Sequence, residues 1–241
     1  MKVVLEYDGS GFAGWQQQAN GRTVEAELKR ALRAVTGAEP KVYAAGRTDA
    51  GAHAEGQVVS FEMDGRITPQ RLVAALNAHL PKDVSVLTAE VAPDGFHARY
   101  SARWRRYGYR YLDRRARPAL ERGRCWHIGV PLDVDAMSEA ANALVGKHDW
   151  TSYCSASEPR AGRVREMRSA KVARRGDFVE LELVAEGFLR GLARSIAGAL
   201  ADVGRGRKPP EWVGEVLRAR DRRLAARTAP AGGLTLVEVI Y

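Results

Sequence analysis

Apolar and polar positions recur with two different periods along this chain, and the changes of period mark its elements. Val24, Leu28, Leu32 and Val35 follow helical spacing. Thr23 stands ahead of them as an N-cap, Glu25 and Glu27 occupy the first turn and Gly37 supplies the stop, so a helix is predicted over 24–36. A second helix starts behind Thr68 with Pro69 at its first position, carries Leu72, Leu76 and Leu80, and ends at Pro81. Short apolar runs at 3–5, 42–45, 57–62 and 84–91 read as strands. The first part of the chain thus runs strand, helix, strand, strand, helix, strand.

The second part repeats this theme loosely. Residues 104–112 alternate as a strand. A helix over 133–145 places Val134, Met137, Ala141 and Leu144 on one face, with Gly146 as its stop. Strands at 167–172 and 178–185 form a hairpin around Gly176-Asp177. Residues 188–203 read as a helix of small apolar side chains, 212–217 as a shorter one behind Pro209-Pro210, and 236–239 as a last strand. Helices mixed with hairpins predict an α+β fold, a sheet with helices on one face. The division falls near 98–103, giving an N-terminal half 1–98 and a C-terminal half 103–241.

Composition narrows the class. With 241 residues, 45 % apolar and 28 % charged, the chain can build an ordinary core, which excludes whole-chain disorder and coiled coil. It lacks a run of about 18 apolar residues, so no membrane span is expected. The N-terminal apolar run is too short for a secretory signal. Cys125 and Cys154 cannot form a disulfide framework, so a reducing, cytoplasmic setting is expected.

Charge says more. The net charge is +9, yet residues 1–98 carry 10 basic and 12 acidic side chains while 99–241 carry 28 and 17. Ten arginines fall within 99–124, among them Arg103, Arg105 and Arg106, interleaved with Trp104, Tyr107, Tyr109 and Tyr111. Cations mixed with flat rings suit a polyanion that carries bases. The alternative is a solvated, arginine-rich face.

Missing motifs remove other classes. No GxxxxGK[ST] phosphate cradle is present, and no GxGxxG follows a strand. His53-Ala54-Glu55 matches half of a zinc-deaminase signature, but the P-C-x-x-C half is absent. No zinc site and no Rossmann-type cofactor site are expected. The best chemical candidate is AAGRTDAGAHAEGQVV at 44–59. If that stretch is extended, Arg47 and Asp49 leave the same face and the guanidinium holds the carboxylate ionised. An ionised carboxylate on a glycine-flanked loop suits a nucleophile or a base. The same residues also suit an ordinary turn. Trp15 and Gln16, in GWQ, either touch RNA or pack under the first turn.

Four segments in order, YDGSGFAGWQQQ, GRTDAGAHAEGQVVSFE, FHARYSARWRRYGYRY and GGLTLVEV, resemble the tRNA pseudouridine synthase A family. The resemblance spans residues 6–239. It implies uridine isomerisation on the 3′ side of the tRNA anticodon stem-loop. It also implies a cofactor-free homodimer whose two α+β halves form one continuous, mostly antiparallel sheet around a catalytic cleft. By resemblance Asp49 is the catalytic aspartate and Tyr107 the tyrosine that contacts substrate. Arg47 helps to displace the target base, Leu234 lines the uracil pocket and Arg194 stands near the aspartate. The helix FLRGLARSIAG departs from the family pattern at Gly191, Ala193 and Ser195, which implies a loosened helix with altered contacts to RNA. Two further readings stay open: a synthase acting on another RNA, and a non-catalytic RNA-binding module, although the RNP1 pattern of such modules is absent.

Overall fold

The computed structural model describes residues 1–63 and 67–241, with Arg160 described by its backbone alone. The chain forms two compact units, Met1–Arg103 with Thr235–Tyr241, and Trp104–Leu234. It is an α+β protein whose strands pair mostly antiparallel.

The first unit opens on β1 (Lys2–Tyr7) and α1 (Val24–Thr36). The Thr23 hydroxyl accepts from Ala26 N, and Gly37 ends the helix at a φ of 74°. Next come β2 (Tyr43–Ala44), β3 (His53–Ser60), α2 (Pro69–His79) and β4 (Val84–Glu90). β1 lies antiparallel between β3 and β4, and β2 joins β3 at Ser60 and Val59. α2 packs on β4, and α1 on α2. Leu5, Val24, Leu28, Leu32, Val59, Leu72 and Leu76 are buried and form the core.

The second unit holds β5 (Trp104–Leu112), β6 (Trp126–His127), α3 (Val134–Asn142), β7 (Gly146–Asp149), β8 (Val164–Arg175), β9 (Phe178–Ala185), α4 (Leu192–Gly204) and α5 (Glu211–Ala219). β5, β9, β8 and β7 pair antiparallel in that order, and β6 runs parallel to the end of β5. α4 packs against β5 and α3, and α3 against β8.

The last strand, β10 (Leu234–Ile240), departs from the single division near 98–103. It pairs parallel with β3 at His53 and Ala54, so residues 235–241 belong to the first unit. Parallel pairing needs a long crossover rather than a tight turn, and local sequence patterns do not reveal that. Gly56 makes room for it: a Cβ there would lie 2.5 Å from the Val237 carbonyl oxygen.

Candidate active site

Between β2 and β3, residues 45–52 form a loop whose ends are pinned. Ala45 N donates to the Val58 carbonyl at 2.8 Å, and Gln57 Nε2 to the Gly46 carbonyl at 2.8 Å. Thr48 is buried, with its hydroxyl 2.7 Å from that of Tyr7. Arg47 on one side of it is exposed, and Asp49 on the other is half-buried. A turn closes behind Asp49, where Ala52 N donates to the Asp49 carbonyl at 3.1 Å and Gly51 takes a φ of +81° that other residues rarely adopt. Arg47 makes no hydrogen bond or ion pair with any described residue, Asp49 included. The expected Arg47–Asp49 pair is therefore not formed, and this guanidinium is available to a ligand.

The YDGSGFAGW segment builds the floor under this loop. A Cβ on Gly9 would collide with the Ala52 carbonyl oxygen. Gly14, at a φ of +102°, would place one 2.9 Å from the Thr48 carbonyl oxygen. Trp15 N donates to that carbonyl at 3.1 Å, and Gly51 N donates to the Phe12 carbonyl at 3.2 Å. Burial pushes the Tyr7 hydroxyl up to about 12, against the opposing hydrogen bonds to Thr48 and Gln57, so it stays neutral and structural. His53 Nδ1 accepts from Gly9 N at 3.1 Å, which ties the imidazole to the same turn. Trp15 is 3 % exposed and lies beside Tyr7, and Gln16 Nε2 donates to the Glu25 carboxylate at 2.7 Å. Trp15 is packed inside the unit, whereas Gln16 is exposed and holds Glu25.

In the second unit β5 turns Arg105, Tyr107, Tyr109 and Tyr111 to its buried face. The Tyr111 hydroxyl donates to the Ala197 carbonyl at 2.9 Å and that of Tyr109 to the Pro230 carbonyl at 2.8 Å. Burial raises both hydroxyls above the ordinary tyrosine value; the Arg194 cation opposes the rise at Tyr109. Tyr107 instead meets Phe188 edge-on at 4.6 Å. Arg194 Nε donates to the Ala229 carbonyl at 2.8 Å, and Ala229 N donates back to the Arg194 carbonyl at 3.0 Å. Leu234 is buried beside Gly233, where a Cβ would come within 2.6 Å of the Tyr109 ring. Arg194, Tyr109 and the 229–234 segment thus form one neighbourhood.

Two expectations change here. The helix expected over 188–203 begins at Leu192, after Gly191 has taken a left-handed φ of 76°. Ala193 and Ser195 are buried, and Arg222 Nη2 donates to the Ser195 hydroxyl at 3.3 Å and the Thr228 hydroxyl at 2.9 Å. These small residues let α4 sit deep in its unit, so it is packed rather than loosened. The arginine run is also divided. Arg103 is exposed, whereas Arg105 is 8 % exposed and donates to the Glu186 carbonyl at 2.6 Å. Arg106 lies on the opposite strand face, 3.7 Å from Glu182. Exposed arginines gather instead at positions 114, 115, 117, 122 and 124, between β5 and β6.

Among the described residues no group of three His, Cys, Asp or Glu could hold a metal ion, and no helix is long and apolar enough to cross a membrane. The class follows from comparison with known proteins: the chain is a pseudouridine synthase. The family model described as tRNA pseudouridine synthase matches residues 3–101 and 140–241, a span that takes in Arg47, Asp49, Arg194 and Leu234. A protein of Moorella thermoacetica named tRNA pseudouridine synthase A is 46 % identical over 244 residues, covering 100 % of this chain and 99 % of its own. Its namesake in Caulobacter vibrioides is 45 % identical over 245 residues, covering 100 % and 98 %. One from a Thermoanaerobacter species is 39 % identical over 239 residues, covering 99 % and 98 %. The chain belongs to the tRNA pseudouridine synthase A family, and it is an isomerase.

Proposed function

We propose that this enzyme converts uridine to pseudouridine in the anticodon stem-loop of tRNA, at neighbouring positions on its 3′ side. The supporting observation is the Asp49 loop: a half-buried carboxylate fixed by backbone contacts to the first turn, with Arg47 free beside it. The reaction breaks N1–C1′ and forms C5–C1′. C5 gives up a proton and N1 gains one, so atoms and electrons balance without a redox partner. Asp49 either attacks C1′ or takes the C2′ proton, and the freed uracil then turns. By the family resemblance Tyr107 contacts the uracil, Leu234 lines its pocket and Arg194 also serves substrate binding. A base inside a stem must first be flipped, at a cost on the order of a few kcal/mol. Arg47 entering the vacated place, together with phosphate contacts from exposed arginines such as Arg103, offsets that cost.

The first half, which carries the Asp49 loop, serves catalysis, and the arginine-rich half serves RNA binding. A homodimer in the cytoplasm belongs to the same reading; light scattering tests the dimer. The function itself is tested by mapping pseudouridine in unmodified bulk tRNA treated with the protein. New pseudouridine confined to the 3′ side of anticodon stems is expected. Conversion confined to another RNA, or none at all, would contradict the proposal.

A further inference from the structure

Tyr100 is 77 % exposed, far more than an aromatic ring in a folded protein ordinarily is. It does not hang on a loose segment. His97 N donates to the Ser101 hydroxyl at 3.0 Å and Ser101 N returns to the His97 carbonyl at 2.9 Å. His97 Nδ1 accepts from Arg99 N at 3.1 Å and Tyr100 N at 3.4 Å. Ala98 N donates to the Ser60 hydroxyl at 3.0 Å, and the Tyr241 hydroxyl donates to the Ala98 carbonyl at 2.8 Å. The turn is therefore bolted to β3 and to Tyr241.

The rings stand in a row. Tyr43 on β2 lies 4.5 Å from His97, and His97 lies 4.4 Å from Tyr100. Lys41 Nζ sits 5.1 Å over Tyr43, and the Arg99 guanidinium 5.8 Å from Tyr100. A pre-ordered ring backed by two others, with cations at both ends, matches a base attached to a phosphate chain. Tyr43 is six residues before Asp49, so chain length alone keeps it within about 22 Å of that carboxylate.

We propose that the Tyr43–His97–Tyr100 row is a stacking platform for an unpaired base of the substrate RNA outside the reacting uridine, with Lys41 and Arg99 meeting its phosphates. This rests on the RNA-modifying function above. The test uses an unmodified tRNA transcript and the full chain, measuring affinity against salt, single-turnover conversion, melting temperature and oligomeric state. Tyr100→Ala should weaken tRNA binding about 5- to 150-fold, as expected for loss of one stacked base, with the salt slope and melting temperature unchanged. Tyr100→Trp should restore affinity, and Tyr100→Leu should not. Lys41→Gln with Arg99→Gln should flatten the salt slope.

Affinity of Tyr100→Ala within twofold of wild type, while wild type converts tRNA normally, overturns the platform and leaves the function standing. Dissociation of an oligomer with unchanged affinity per protomer assigns the row to a second copy of this chain and also overturns it. A wild-type protein that neither binds nor converts tRNA overturns the functional reading itself.

Discussion

The loop that carries Asp49 and the strand that carries Tyr107 are held in place by opposite means. The loop has few side-chain anchors. Its position comes from backbone pressed on backbone, at Gly9 against Ala52 and at Gly14 against Thr48, with one buried hydroxyl pair beneath it. β5 is held by bulk, with three tyrosines on one face and two of their hydroxyls capped by carbonyls of the same unit. Close backbone approach leaves no slack, so a small error there misplaces the carboxylate. A packed aromatic face concentrates stability instead. Substitutions should therefore separate the two regions, with the loop failing in activity and the strand failing in folding.

The largest stability effect should come from Tyr111→Ala. The ring is fully buried, so its removal should cost about 3–5 kcal/mol, read by denaturant unfolding. Turnover per folded molecule should fall much less. Gly9→Ala should show the reverse balance. The added methyl must displace the Ala52 carbonyl, at a cost of roughly 1–3 kcal/mol. Activity should fall by about a hundredfold, because an ångström at the reacting group matters that much. If Gly9→Ala loses stability and activity in the proportion that Tyr111→Ala does, the contrast between the regions is broken.

A smaller effect sharpens the contrast within the second unit. Burial alone would raise the Asp113 carboxyl, but the Arg174 fork and the Leu132 N–H more than reverse this and hold it below its usual value. A depressed folded-state value adds stability above the unfolded-state value, and that contribution is lost as pH falls through the folded one. Asp113→Asn should cost about 1–3 kcal/mol at neutral pH, with the deficit shrinking on acidification. A deficit independent of pH would remove the charge from the account. The smallest effect should be Tyr7→Phe, which removes the hydroxyl that meets Thr48 and, more weakly, Gln57, costs about 0.5–1.5 kcal/mol and loosens the loop from below. Melting temperature and turnover measured together report both.

The two regions also differ in how far sequence alone discloses them. β5 is legible from alternation, and the structure places it at Trp104–Leu112 as the pattern requires. α1 is equally plain from its cap, spacing and glycine stop. The Asp49 loop is visible only as a motif, because its restraint comes from glycines forty residues earlier in the chain. β6 and β7 escape notice, since Trp126–His127 and Gly146–Asp149 are too short to show a period. The split of Arg105 from Arg106 follows from strand period two, yet counting charges conceals it. The Tyr43–His97–Tyr100 row has no sequence signal, because hydrogen bonds between distant segments assemble it.

Asp49→Asn tests the central claim most directly. Asparagine keeps the size of the side chain and serves well in turns, but it cannot ionise. Pseudouridine formation, melting temperature and tRNA affinity should be measured on one preparation, with mass spectrometry confirming that the amide has not reverted to acid. No detectable pseudouridine, with melting temperature and affinity retained, is the predicted result. Near-normal turnover in the intact variant would contradict the account.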